Sequence, residues 1–161
     1  MIISAHSAGV VNVTIGVPGP KIATLANGYS YVTPPAPASF HTLSPCRLVD
    51  TRNANGTRGK PALVASSSRN FTLTNVCGIP PTAKAISVNI TVTGATAPGF
   101  ISLFPGDGIV PATSNINFSA GQTRANNAVV LLATNGTGVV AVRNGVAGAT
   151  HFILDVNGYF Q

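Results

Sequence analysis

Three carboxylates, Asp50, Asp107 and Asp155, are all the acid this chain has; there is no glutamate. General acid or base work, metal ligation and the orientation of a histidine each call for carboxylates. A Ser-His-Asp triad can be assembled on paper from His6, His41 or His151, but no Gly-x-Ser-x-Gly elbow and no His-Glu-x-x-His run is present. A glycosidase would have to draw its pair of carboxyl groups from these same three residues. An isopeptide crosslink needs an acid beside Lys and Asn, and Lys84 is the only lysine near an expected core strand. No catalytic residue is assigned, and a hydrolase ranks third among the readings below.

Two of the aspartates sit in apolar runs, Leu48-Val49-Asp50-Thr51 and Phe152-Ile153-Leu154-Asp155-Val156. A buried carboxylate without a partner is costly, so each is expected to be paired. Arg47, Asp50, Arg52 and Asp155 are the expected structural ion pairs. Strand alternation puts Asp50 and Arg52 on one face and turns Arg47 away. The sharper alternative is an arginine site that grips a carboxylate or sulfate bidentately. A Ca²⁺ site of Asp155, Asn157 and backbone carbonyls, with Asp50, is a weaker one, since calcium takes six to eight oxygens and no EF-hand pattern occurs. No metal and no cofactor is expected. Asp107, in Pro105-Gly106-Asp107-Gly108, reads as a turn residue.

The elements that must hold these residues are strands. Apolar residues make up 45% of the chain and charged ones 7%, with 17 Gly and 12 Pro. That is the composition of a turn-rich all-β protein, not of a disordered one. Val11, Val13 and Ile15 alternate with polar residues. After the Pro18-Gly19-Pro20 turn, Ile22–Leu25 and Tyr29–Val32 read as two strands joined by an Asn27-Gly28 hairpin turn. Residues 34–39 form a Pro-rich linker. Ala85–Thr93 alternates cleanly, with Ile86, Val88, Ile90 and Val92 on one face. Phe100–Phe104, Ile116–Phe118, Val139–Val142 and His151–Val156 follow. Ala128–Leu132, apolar throughout, reads as a central strand. An antiparallel β-sandwich or jelly roll of about eight strands results.

The net charge of +6 comes from missing acids, since Lys and Arg number nine. Five of them, Arg47, Arg52, Arg58, Lys60 and Arg69, crowd one stretch, but no nucleic-acid motif accompanies them and no nucleic-acid partner is expected. No apolar run approaches the ~18 residues of a membrane span, so no membrane insertion is expected. Met1–Val10 lacks the features of a signal peptide, which suggests a piece of something larger. Cys46 and Cys77 have no zinc-site spacing. Their even number in such a chain favours a disulfide and an oxidising compartment, two buried thiols being the alternative.

Several motifs carry a resemblance in order: Pro45-Cys46-Arg47-Leu48-Val49-Asp50-Thr51-Arg52, Cys77-Gly78-Ile79-Pro80, Ser87–Val92, Ser114–Phe118, Ala125–Ala128 and Ile153–Phe160. Over residues 40–160 the chain resembles a β module found at the C-terminal ends of large secreted or surface proteins of soil bacteria. Residues 5–33, through Ala8–Thr14 and Ala23–Val32, resemble the last strands of an immunoglobulin-like IPT/TIG domain. The resemblance implies three parts: an incomplete IPT/TIG-like domain at 1–33, a linker at 34–39 and a β-sandwich module at 40–161. Two or three strands cannot bury a core alone, so the first part is expected to pack on the module or to pair with another chain.

Two binding readings remain. Asn115, Asn117, Arg124, Asn126 and Asn127 could form a polar groove for single glycan chains; without Trp, a flat aromatic platform for crystalline polysaccharide is not expected. These amides could equally satisfy turns and strand ends. Low charge and Thr/Asn-rich strands also favour self-association through sheet edges. The expected function is a non-catalytic extracellular accessory module at the cell surface, for attachment or self-assembly of a larger secreted bacterial protein. Its expected partners are copies of itself or neighbouring domains, with carbohydrate binding the alternative.

Overall fold

The computed structural model describes residues 9–16, 22–31 and 37–161. It divides into two compact units, residues 1–37 and 38–161. His6 and the Pro18–Pro20 turn lie outside the described residues. In the first unit β1 (Gly9–Gly16) pairs antiparallel with β2 (Ile22–Tyr31). Asn27-Gly28 is not a hairpin turn there. Val11 pairs with Tyr29 and Val13 with Leu25, so Asn12 stands opposite three residues of a continuous β2. Asn27 takes a φ of 54° and its N–H donates to Asn12 Oδ1 at 2.8 Å. An Asn-Gly pair signals tolerance of positive φ, and a bulge uses that tolerance as readily as a turn does.

The second unit has eight strands: β3 (Phe40–Asp50), β4 (Ser68–Thr72), β5 (Ala85–Thr93), β6 (Gly99–Pro105), β7 (Ile116–Phe118), β8 (Arg124–Leu131), β9 (Val139–Asn144) and β10 (His151–Phe160). They form two antiparallel sheets, β3-β10-β5-β8 and β4-β9-β6-β7. The pairs β3–β10, β4–β9, β5–β8 and β6–β7 nest inside one another, so the chain runs as one long hairpin whose tip is β6–β7. Successive pairs go to alternate sheets. This is the jelly roll, one of the two architectures expected. Among the described residues no helix is long and apolar enough to cross a membrane.

Strand alternation builds the core. Ile86, Val88, Ile90 and Val92 of β5 and Phe152, Leu154 and Val156 of β10 point inward from the first sheet. Phe71, Ile101, Leu103, Val140 and Val142 meet them from the second. The rings of Phe71 and Phe152 stack across the gap at 6.0 Å. Each such side chain stabilises the fold by about 1.5–3 kcal/mol on leaving water.

Polar residues fix the loops. Arg69, on β4, donates to the carbonyls of Gly56, Thr57, Gly59 and Pro61 at 2.8–3.2 Å. Its guanidinium also lies 4.9 Å above the Phe71 ring. Fully buried Asn144 ends β9; its amide donates to Leu63, Val64 and Gly148 carbonyls at 3.1 Å and accepts from Val146 N–H at 3.2 Å. The two irregular segments on either side of it are thereby joined.

β8 departs from its expected place. It is the outer strand of its sheet, not a central one, and Val129 and Leu131 are 59% and 60% exposed. Its run of apolar residues has one buried face, occupied by Val130, and one open face. An unbroken apolar run marks a doubly covered strand only where layers lie on both sides.

Cys46 and Cys77 form a disulfide that ties β3 to the β4–β5 connection across 31 residues. Closing a loop of that size restricts the unfolded chain by about 3–4 kcal/mol. Replacing both cysteines with alanine should lower the unfolding free energy by about that amount in a guanidinium titration, with the fold retained by circular dichroism.

Candidate functional site

β3 brings Arg47 and Asp50 to the same face, against the plain alternation of the sequence. Val49 pairs with Leu154 and Arg47 with Asp155, so Leu48 is an extra residue, and the bulge turns Arg47 round. Leu48 itself stays buried, 2% exposed. Arg47 Nε and Nη2 then donate to Asp155 Oδ1 and Oδ2 at 2.8 and 3.1 Å, and Nη1 donates to Asp50 Oδ2 at 3.2 Å. Arg52 lies just past the strand end. Its backbone N–H and Nε donate to Asp50 Oδ1 at 3.0 and 2.9 Å, and its Nη2 to Oδ2 at 2.7 Å. The four residues form one neutral chain, Arg52–Asp50–Arg47–Asp155.

The electrostatics follow from these contacts. The Arg52 hydrogen bonds outweigh the burial of Asp50 and, with Arg47, hold its carboxyl at about 2. Arg47 is raised by its bonds to Asp155 and by both carboxylates. All four carboxylate oxygens accept from a guanidinium, so cations stand where the calcium alternative would place its ion. Among the described residues no three His, Cys, Asp or Glu side chains cluster as metal ligands.

The histidines have other partners. His151 Nδ1 sits 3.1 Å from the Thr51 carbonyl and 3.2 Å from Thr51 Oγ1, which also accepts from Phe152 N–H at 2.9 Å. His41 stacks on Tyr159 at 4.9 Å. Asp107 reaches beyond its own turn: Oδ2 accepts from Thr134 N–H, Thr134 Oγ–H and Asn135 N–H at 2.9, 2.7 and 3.1 Å. Those bonds, that of the Thr134 hydroxyl first, lower its pKa and join the β6–β7 and β8–β9 loops.

Four of the five residues named as a glycan groove do meet. Asn115, Asn117, Arg124 and Asn126 line a cleft of about 250 Å³ where the edge strands β7 and β8 face each other across the sandwich. Asn127 alternates to the outer face, opposite Asn89, and is not part of it. Asn126 Nδ2 donates to the Asn115 carbonyl at 2.7 Å and Arg124 Nη1 to the Asn117 carbonyl at 3.2 Å. Asn115 Oδ1 accepts from Leu103 N–H at 2.6 Å. Half of this cleft is therefore a seam between sheets.

Beyond that seam β8 is open. Among the described residues no strand pairs with its outer side. From Ala125 to Leu131 it carries no charge and no proline, and its register with β5 runs without a shift. The other three edges are each blunted. β3 contains Pro45, two register shifts and the disulfide. β4 has five residues and stands beside the loop that Arg69 gathers, and β7 has three. Short, bulged or charged edges resist pairing with another chain, and β8 has none of these protections. The outer face continues inward from its end as a row, Leu131, Ala85, Phe160 and Phe40, in register across all four strands. The sequence put the apolar run in view but not its edge position, which only the strand order supplies.

No family model matches the chain, and no curated protein does. Among solved structures it is similar to the coat protein of Tobacco streak virus in two structures. One is 15% identical with a TM-score of 0.34, covering 79% of this chain and 90% of the other. The second, of the coat protein dimer, is 11% identical with a TM-score of 0.37, covering 78% and 90%. The likeness is too distant to bear on function.

Asp50 gives a pH test. Its folded pKa lies below that of a free aspartate, so its contribution is complete above about pH 4 and is lost as pH falls through about 2. Stability should decline over that window in acid titrations of the melting temperature. Asp50→Asn should flatten much of the decline and cost about 2 kcal/mol at neutral pH, because it leaves Arg52 and Arg47 short of their buried acceptor.

Proposed function

We propose that residues 38–161 form a non-catalytic assembly module of a larger secreted bacterial surface protein, and that copies meet through β8. The uncharged, regular outer edge of β8 is the observation that carries this reading. Two copies related by a two-fold axis near Val129 would pair Asn127–Leu131 antiparallel and join two four-stranded sheets into one of eight. Val129 and Leu131 would then leave water on both copies at once. No charge lies between Ala125 and Leu131, so the paired edges bring no like charges face to face. The Cys46–Cys77 disulfide supports an oxidising, extracytoplasmic compartment. So does the resemblance of residues 40–160 to modules of secreted proteins.

Carbohydrate binding at the β7–β8 cleft is the second reading. It is favoured by the side-chain amide nitrogens of Asn115 and Asn117, which have no protein acceptor among the described residues.

Multi-angle light scattering on the full chain should show a concentration-dependent dimer at micromolar levels. The double variant Val129→Lys, Leu131→Lys should be monomeric with an unchanged melting temperature, since both side chains are exposed. A wild-type chain that stays monomeric at millimolar concentration, or a double variant that still dimerises, would refute the edge pairing.

A further inference from the structure

The chain's acids are all engaged, and its cations are not. Asp50 and Asp155 are held by Arg47 and Arg52, and Asp107 by the Thr134–Asn135 turn. Of the five cations crowded between residues 47 and 69, Arg47 and Arg52 are thus neutralised, and Arg69 gives its guanidinium to four backbone carbonyls. Arg58 and Lys60 remain. Among the described residues neither side chain has a hydrogen-bond or ion-pair partner. All three carboxylates are engaged elsewhere, so both heads stay open to an anion from solution.

Arg58 does not stand on a flat surface. It lines a cleft of about 280 Å³ with Thr57, Asn70, Thr72, Thr74 and Val76. One wall is the segment after β3; the other is β4 and the turn that follows it. Asn70 and Thr72 are two apart on β4 and share a face. Thr74 is 6% exposed, and its hydroxyl has no protein partner among the described residues. No enclosed side-chain oxygen lacks a bond there, so the Thr74 oxygen keeps contact with solvent. Gly138, at φ 65°, packs against the Thr74 side chain so closely that a Cβ there would overlap it. The opposite wall is equally fixed, because Arg69 binds the Thr57 carbonyl and its neighbours, while the Arg58 carbonyl accepts from Asp50 N–H at 3.0 Å.

The cleft therefore offers one planar cation, one amide and three hydroxyls on preformed walls, and no carboxylate. A guanidinium takes a carboxylate or sulfate through two parallel bonds, and hydroxyl and amide groups match the ring hydroxyls of a sugar. We propose that this cleft binds an acidic sugar unit of a polysaccharide, with Arg58 on its anionic group and Thr57, Asn70, Thr72 and Thr74 on its hydroxyls. A hexuronate carboxylate and a sugar sulfate share this chemistry. The cleft lies apart from the Asn115–Asn126 groove and shares no residue with it.

Calorimetric titration of the full chain with oligogalacturonate, sulfated dextran oligomers and neutral dextran oligomers tests the proposal. At least one acidic probe should bind and the neutral one should not; which acidic probe is tighter tells carboxylate from sulfate. Arg58→Ala should weaken binding at least tenfold, and Thr72→Val should weaken it several-fold without changing the salt dependence. Lys84→Ala, which removes the same charge elsewhere, and Asn117→Ala, in the other groove, should bind as the wild type does. Binding that falls equally in Lys84→Ala, binding that survives Arg58→Ala, or no binding to either acidic probe would each overturn the site.

Discussion

The first strand of the jelly roll pairs with the last, and the rest of the module hangs on that pairing. β3 and β10 are the open ends of one long folded hairpin, and every other pair lies inside it. Loss of β3 from the sheet would uncover the inner face of β10, where Phe152, Leu154 and Val156 sit in the core. A regular ladder alone would be a weak clasp at the edge of a sheet. Here it is reinforced at three points. The Leu48 bulge swings Arg47 onto Asp155, Asp50 draws the turn at Arg52 inward, and Thr51 extends the ladder through its hydroxyl to Phe152 N–H. At the other end Gly158 lets the Phe40 ring lie on the sheet, since a Cβ there would overlap that ring and stand 2.7 Å from the His41 carbonyl oxygen. A two-residue slip would break all of these together, so the register is over-determined.

The same logic explains how the sandwich treats its remaining edges. A jelly roll leaves four edge strands, and each must be paired, covered or made unattractive. β3 is blunted by proline and bulges, β4 by shortness and the Arg69-gathered loop, and β7 by having almost no length. Among the described residues β8 is joined to β7 and the residue before it at its start, through Arg124 and Asn126. Seam and open edge therefore lie on one strand. In its first half the Arg124 guanidinium and the Asn126 amide satisfy the carbonyls of Asn117 and Asn115, while its second half keeps regular geometry and apolar side chains without a strand partner among the described residues.

How much of this the sequence discloses depends on the range of the interaction. Ala85–Thr93 was legible to the residue, because period-two burial is written locally. The number of strands in the module and the all-β class were legible for the same reason, from turn spacing. The ion-pair residues could be named, since a carboxylate in an apolar run needs a partner. Their geometry could not be drawn. One inserted residue, Leu48, reverses the direction of Arg47, and no local signal marks it, because leucine suits a strand and a bulge equally well. The place of β8 in the sheet is a fact of strand order, which depends on contacts between residues far apart. Asn127 parted from the other four cleft residues for the simplest reason: it is one residue out of phase. The roles of Arg69 and Asn144 are not written in the sequence, because the groups they bind are backbone carbonyls, which every sequence has and none displays.

The scarcity of acids shapes the exterior as much as the interior. With three carboxylates and nine lysines and arginines, pairing inside the molecule cannot neutralise the surface. The structure concentrates what acid it has: two aspartates serve Arg47 and Arg52 at the β3–β10 clasp, and the third fixes a pair of loops. The other cations, Arg58 and Lys60 among them, have no carboxylate partner among the described residues. They stay available for ligands whose charge is negative. With no glutamate and all three aspartates engaged, the Arg58 guanidinium on the Arg69-held loop has no carboxylate partner among the described residues. Low acid content thus leaves cations open to anions, while the charge-free stretch Ala125–Leu131 lets two β8 edges meet with no like charges opposed.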